Sequence, residues 1–277
     1  VAVQSTGSRA APGRTTTGPD TTTARDTHAA RDAATARALA MLGLAALGSA
    51  AILIGVLHLL PLTAGISSVR QTISEYALTE VGWMFNAAVI ATAASSGAVF
   101  FALLLTGQAT WRTIGLLFGG LWVAGLMVIV AFPKHNWAIG PNADGQIHRI
   151  ASVVAFLSLP IAVMLLTRRR AETAGRRRAQ AAFWLGAASL AWFSPLIVAM
   201  LMAPRTGTPW FRAIPLGLIE RGLVITEVSA VVALALWALA ATRRGLPAVS
   251  PRGAAERSTA RSSDPGPVVP ASRRPAG

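Results

Sequence analysis

Side chains that could do chemistry are scarce in this chain, and they gather at a few polar breaks between long apolar runs. The segment 58–83, HLLPLTAGISSVRQTISEYALTEVGW, holds His58, Ser74, Glu75 and Tyr76, and Asn86 stands one turn into the run that follows. A second break carries His135, Asp144, His148 and Arg149, and a third leads into Glu220 and Arg221. Carboxylates and imidazoles of this kind act as general acids and bases, hold a polar headgroup, or tie helix ends together as ion pairs.

Spacing narrows the options without closing them. Asp144 and His148 are four apart, so on a helix they share a face and can hydrogen-bond, making His148 a proton carrier. The competing reading has Asn142 or Asp144 capping the helix and His148 anchoring at the interface. Glu220 and Arg221 are neighbours and point about 100° apart, so each needs a partner on another element. Glu75 with Arg221, and Glu220 with Arg149 or His148, would form a structural ion network. The same groups, with Glu75, His148 and Glu220 as the catalytic candidates, would equally serve as acid and base toward a lipid headgroup. Glu227 follows Glu220 by seven residues, on the same face and about 10 Å deeper. A carboxylate at that depth is costly unless it is paired, neutralised or turned to an internal cavity, and Ser95 or Ser96 is an expected hydrogen-bond partner.

Other chemistries find no support. The chain has no cysteine, which removes disulfides, thiolate catalysis and thiolate-bound zinc. His58, His135, His148 and Glu75 are of zinc-binding type, but they come from separate loops without an HxxxH or HExxH pair, so no metal site is assigned. No phosphate-binding glycine loop, nucleophile elbow or paired acidic prenyl-diphosphate motif occurs, and no cofactor is assigned.

The elements that must position these residues are membrane spans. The chain is 53% hydrophobic with a mean hydropathy of +0.53, whereas a soluble domain is about 45 to 50% apolar. Runs over 39–60, 83–105, 113–132, 146–167, 181–203 and 215–241 are each about 20 residues or more, enough to cross a hydrocarbon core at about 1.5 Å per residue. The sequence therefore predicts an all-α polytopic bundle of six transmembrane helices over 38–242. Residues 1–37 and 243–277, rich in Thr, Ala, Ser, Pro and Arg, are expected to be disordered cytoplasmic tails. Small-residue faces, Gly43, Gly48, Ser49 and Gly55 in the first run and Gly115, Gly119, Gly120 and Gly125 in the third, are expected to let helices approach closely. Pro160 is expected to kink the fourth.

The net charge of +14 is a topology signal in this setting. Nineteen of the 25 basic residues fall on the side of the two tails and six on the other, which places both termini in the cytoplasm and the 58–83 mouth outside. No aromatic–basic interleaving accompanies the charge, so nucleic acid is not an expected partner; membrane lipids are. Twenty-four arginines against the single Lys134 fit a GC-rich bacterial gene, and a bacterial plasma membrane is the expected location. Val1 reads as an alternative start codon translated literally or as the start of a fragment.

His58-Leu59-Leu60, then Ile73-Ser74-Glu75-Tyr76-Ala77-Leu78, Gly82-Trp83, Phe132-Pro133, Gly145 with His148, and Glu220-Arg221 form an ordered set. Taken together the set resembles the prokaryotic hexahelical membrane family catalogued as domain of unknown function 998. The resemblance covers about 39–243 and implies six spans with an extracytoplasmic polar cluster, but no activity. Where that family often carries an acid after the Phe-Pro pair, this chain has Lys134-His135. Three functional readings follow. The first is a protein that binds a lipid or other amphiphile in an outer vestibule of His58, Ser74, Glu75, Tyr76, Asn86, Asp144, His148, Arg149, Glu220 and Arg221, with Glu227 below. The second is an intramembrane hydrolase or cyclase acting on a lipid or isoprenoid through Glu75 and Glu220. The third is a small proton-coupled carrier using Glu227.

Overall fold

A computed structural model describes residues 21–135, 142–168 and 175–243. Eight α-helices occur among them: α1 Thr21–Leu59, α2 Gly82–Leu105, α3 Ile114–Ala131, α4 Ala143–Thr167, α5 Arg176–Ala191, α6 Ser194–Thr206, the single turn α7 Trp210–Ala213, and α8 Leu216–Thr242. Six stretches are long and apolar enough to cross a membrane, with α5 and α6 together forming the fifth. Helices α1 to α5 pack each against the next, and α8 closes the bundle by packing on α1, α2, α4 and α5. Its buried face, including Leu234, Ala235, Trp237 and Ala238, is the centre of the core. By contrast α6 is the most exposed part of the bundle, with Ile197, Val198, Met200 and Leu201 uncovered, as expected of a lipid-facing segment.

The expected tails fall mostly outside the described residues, but one boundary differs. Helix α1 begins at Thr21, so residues 21–37 are helical and not the disordered stretch that composition suggested. Alanine is the strongest helix former, and this stretch continues directly into an apolar span. Each added residue then extends an existing helix without a new nucleation cost. Ala36 and Ala40 are fully buried in the bundle, which adds tertiary support.

Pro61 ends α1, and the Thr63 hydroxyl donates to the carbonyls of Leu57 and Leu60, satisfying acceptors that the helix end leaves open. A 3₁₀ segment Ile73–Leu78 carries Ser74, Glu75 and Tyr76 across the mouth. Asn142, not Asp144, caps α4: its side chain accepts from the Gly145 amide at 2.8 Å. Helix α4 continues through Pro160 as one element. A break between helices falls at Trp192–Phe193, where Pro195 opens α6, a position that tolerates its missing N–H.

The small-residue faces are only partly used. Gly43 meets Ser95, whose hydroxyl donates to the Gly43 carbonyl at 2.7 Å. Gly48 and Gly55 face open space and Ser49 bonds its own helix, so the first run's stripe is not a continuous contact. In α3, Gly115, Gly119 and Gly125 lie against Leu166, Phe100 and Ala155, while Gly120 meets nothing. The two closest approaches are in α8. A side chain on Gly217 would stand 2.2 Å from the Gln71 carbonyl, and one on Gly222 would stand 2.3 Å from the Trp192 ring. Both glycines let other segments press onto the start of α8, where the polar residues lie.

Candidate polar collar and chambers

At the mouth end, α8 presents Glu220 and Arg221 on different sides, and the 67–78 segment wraps between them. Arg221 donates from Nε to His58 Nε2 at 2.9 Å and from Nη1 to the carbonyls of Gln71 and Gly217 at 2.8 and 3.0 Å. An arginine only donates, so Nε2 of His58 is the acceptor and Nδ1 carries the proton, which it gives to the Ile54 carbonyl at 2.7 Å. The His58 ring also meets buried Tyr76 edge-on, with centroids 5.1 Å apart. Arg221 thus joins α1, the mouth segment and α8 through His58 and two backbone carbonyls. The expected Glu75–Arg221 pair does not form.

Glu75 pairs instead with Lys134, at 2.7 Å, and Lys134 also donates to the Thr72 hydroxyl. Thr72 in turn shares a hydrogen bond with Ser74. Glu220 accepts from the Ile73 amide through Oε2, and not from Arg149 or His148. A backbone N–H is a donor of fixed position, and burial favours a carboxylate that it can satisfy. Likewise His148 is turned away from Asp144. Its Nδ1 bonds the Phe132 carbonyl at 2.9 Å, joining α4 to the end of α3, while Asp144 stays exposed.

Two chambers lie behind this collar. The outer one, about 160 Å³, has among its polar lining Thr72, Ser74, Lys134, His148, Arg149 and Glu220. Its apolar and aromatic lining includes Phe156, Trp192, Phe193, Leu196, Trp210 and Leu223. The inner one, about 90 Å³, is walled by Phe85, Trp122, Leu126, Phe156, Val224 and Val228, with Glu227 on its border. Ser74, His148, Ser152, Phe156 and Glu220 line both chambers and form the partition between them. Either space exceeds the about 10 to 15 Å³ that one water requires.

Glu227 is 1% exposed. Its Oε1 accepts from Ser189 of α5 at 3.3 Å, and its Oε2 has no partner. The expected serines are committed elsewhere: Ser95 to Gly43, and Ser96 to Thr92 and the indole N–H of Trp122. Glu220 and Glu227 border one chamber because seven residues are close to two helical turns.

Among the expected site residues, then, His58, Ser74, Glu75, Tyr76, His148, Glu220 and Arg221 meet in the collar or its partition, Arg149 edges the outer chamber, and Glu227 lies beneath. Asn86 is part-buried on α2 and borders neither chamber, and Asp144 lies outside the collar's hydrogen bonds. His135 packs against Gly145. Lys134, Gln71, Trp122 and Ser189 were not foreseen. Only Lys134 carried a signal, as the sole lysine of the chain, placed directly after the Phe-Pro pair that ends a span. No group of three or more His, Asp and Glu able to hold a metal occurs among the described residues.

No curated protein and no solved structure matches this chain. A family model does, described as "Protein of unknown function (DUF998)", over residues 44–237. That match runs from within α1 to within α8 and includes every residue of the collar and chambers. The chain belongs to the DUF998 family of membrane-spanning proteins.

Proposed function

We propose that this protein binds a membrane amphiphile in the outer chamber, with the polar collar facing away from the cytoplasm of a bacterial cell. The observation that carries this reading is the mixed lining of that chamber. Thr72, Lys134, Arg149 and Glu220 line it together with Trp192, Leu196, Trp210 and Leu223. A ligand pocket is typically a largely apolar concavity with a few convergent polar groups. Here the apolar wall comes from the α5–α6 break and α7, next to the exposed α6, so a ligand could enter sideways from lipid. The collar would engage a headgroup, and the aromatic wall would cover an acyl or isoprenoid chain.

The binding reading is preferred to acid–base catalysis because Glu75 and Glu220 each have a structural partner, Lys134 and the Ile73 amide. The outward placement of the collar is supported by the arginine distribution, which favours cytoplasmic tails. A reporter inserted at Gly140 should be active only outside the cytoplasm, and a cytoplasmic signal would reverse the assignment. For the ligand, mass spectrometry of the purified protein should find a retained amphiphile. Leu223→Trp, which fills the outer chamber, should lose it. A lipid-free spectrum of the unaltered protein, or equal retention by Leu223→Trp, would overturn the proposal.

A further inference from the structure

We propose that the inner chamber is a separate binding site for an organic ammonium group, held by Glu227 within an aromatic enclosure. This goes beyond amphiphile capture in the outer chamber; the two sites share Phe156 and Glu220 in the partition, and Glu227 belongs to the inner one alone. Three observations converge on it. Glu227 is fully buried yet only half satisfied, since Ser189 reaches Oε1 and nothing reaches Oε2. Buried polar atoms are nearly always hydrogen-bonded, so a bare carboxyl oxygen beside a chamber calls for a partner, and a cation is the partner that lets the group stay ionised at that depth. The chamber itself is large enough for a small organic group.

The remaining lining selects the class of donor. Neither lysine nor arginine borders the inner chamber, whereas Glu220 and Glu227 both do. Phe85, Trp122 and Phe156 border it as well, and the faces of such rings attract a desolvated cation. A small inorganic cation suits the site poorly. It needs about six or more oxygens converging at about 2.3 to 2.6 Å, but the two carboxylates are separated by about two helical turns with apolar side chains between them. Thr92 and Ser152 also border the chamber, and their hydroxyls bond the carbonyls of Ala88 and His148. A small alkylammonium places its charge at Glu227 and its carbon skeleton against Val224, Val228 and the rings.

The test uses the full chain in dodecyl maltoside micelles, which carry neither net charge nor an ammonium group. Ethylammonium, small enough for the chamber, is titrated against ethanol, its near-isosteric neutral match, by ligand-observed NMR. The unaltered protein should bind ethylammonium saturably. Glu227→Gln should weaken that binding by about tenfold or more, as expected for losing a hydrogen bond to a charged group, and change ethanol binding by less than about twofold. Glu227→Gln should also leave the amphiphile of the outer chamber in place, so the two proposals fail separately. Val224→Phe keeps the carboxylate and fills the chamber, and should abolish binding of both probes. No saturable ethylammonium binding, an equal effect of Glu227→Gln on both probes, or unchanged binding in Val224→Phe would each overturn the proposal.

Discussion

The two glutamates on one face of α8 meet opposite fates. Glu220, at the collar, accepts from a main-chain amide of a segment far away in sequence. Its neighbours there also tie segments together: Glu75 with Lys134, Arg221 with His58 and two carbonyls although its Nη2 has no partner, His148 with Phe132. Glu227, two turns below, has a single serine and one bare oxygen, and no such set of bonds. The collar's polar groups hold pieces of the fold together, so removing one should cost stability. The inner carboxylate binds little of the fold, so its presence is better explained by something that enters the chamber. Substitutions on the two sides of the partition should therefore separate into those that unfold the protein and those that spare it.

The largest loss is expected where the mouth segment lies directly on α8. Gly217→Val would drive a side chain into the Gln71 and Ser68 carbonyls, neither of which can move without lifting the whole segment. A cost of about 3 kcal/mol is expected for such overpacking, read as a fall in thermal stability in detergent. An unchanged melting temperature would mean that the mouth segment is not pinned to α8, and the collar would lose its structural meaning.

Next comes the ion pair. Lys134→Met leaves Glu75 without its cation. Because the Glu75 side chain is 26% exposed, water offsets part of the penalty of a fully buried pair, and about 2 kcal/mol is expected. Adding Glu75→Gln should recover about half of that, since no lone charge then remains. Failure of the double substitution to recover anything would show that Lys134 acts through Thr72 and not through the pair. Glu220→Leu should cost about 1 to 2 kcal/mol, because it strands the Ile73 amide in a buried position.

This division was only partly legible in the sequence. The six spans were, because apolar runs of that length have no other stable home, and so was the gathering of His58, Glu75, His148, Glu220 and Arg221 at one end. The spacing of Glu220 and Glu227 gave their shared face. What it could not give was the partners. Hydrophobicity in a span is nearly uniform around the helix, so it fixes neither rotation nor which neighbour each face meets. Ser189 was hidden for that reason as the partner of Glu227 in place of Ser95 or Ser96, whereas Lys134 and Glu75 stand on connecting segments whose paths no periodicity fixes. The start of α1 was missed for another reason. Ala, Thr and Arg also compose disordered tails, and only attachment to a span turns 21–37 into helix.

The smallest effect on stability is expected at Glu227, and it is the sharpest test of the contrast. Glu227→Leu deletes the bare oxygen and substitutes an apolar group that suits Val224 and Val228. It also takes away the acceptor of Ser189, but a helical serine can turn its hydroxyl back to a carbonyl of its own helix. Removing a half-satisfied buried carboxylate in this way should be neutral or should stabilise by about 1 kcal/mol. Set beside Glu220→Leu on the same face of the same helix, the two melting curves should shift in opposite directions or one should not shift at all. A Glu227→Leu protein that unfolds as readily as Glu220→Leu would mean that the inner carboxylate is a structural strut like those of the collar, and the contrast between the two regions would vanish.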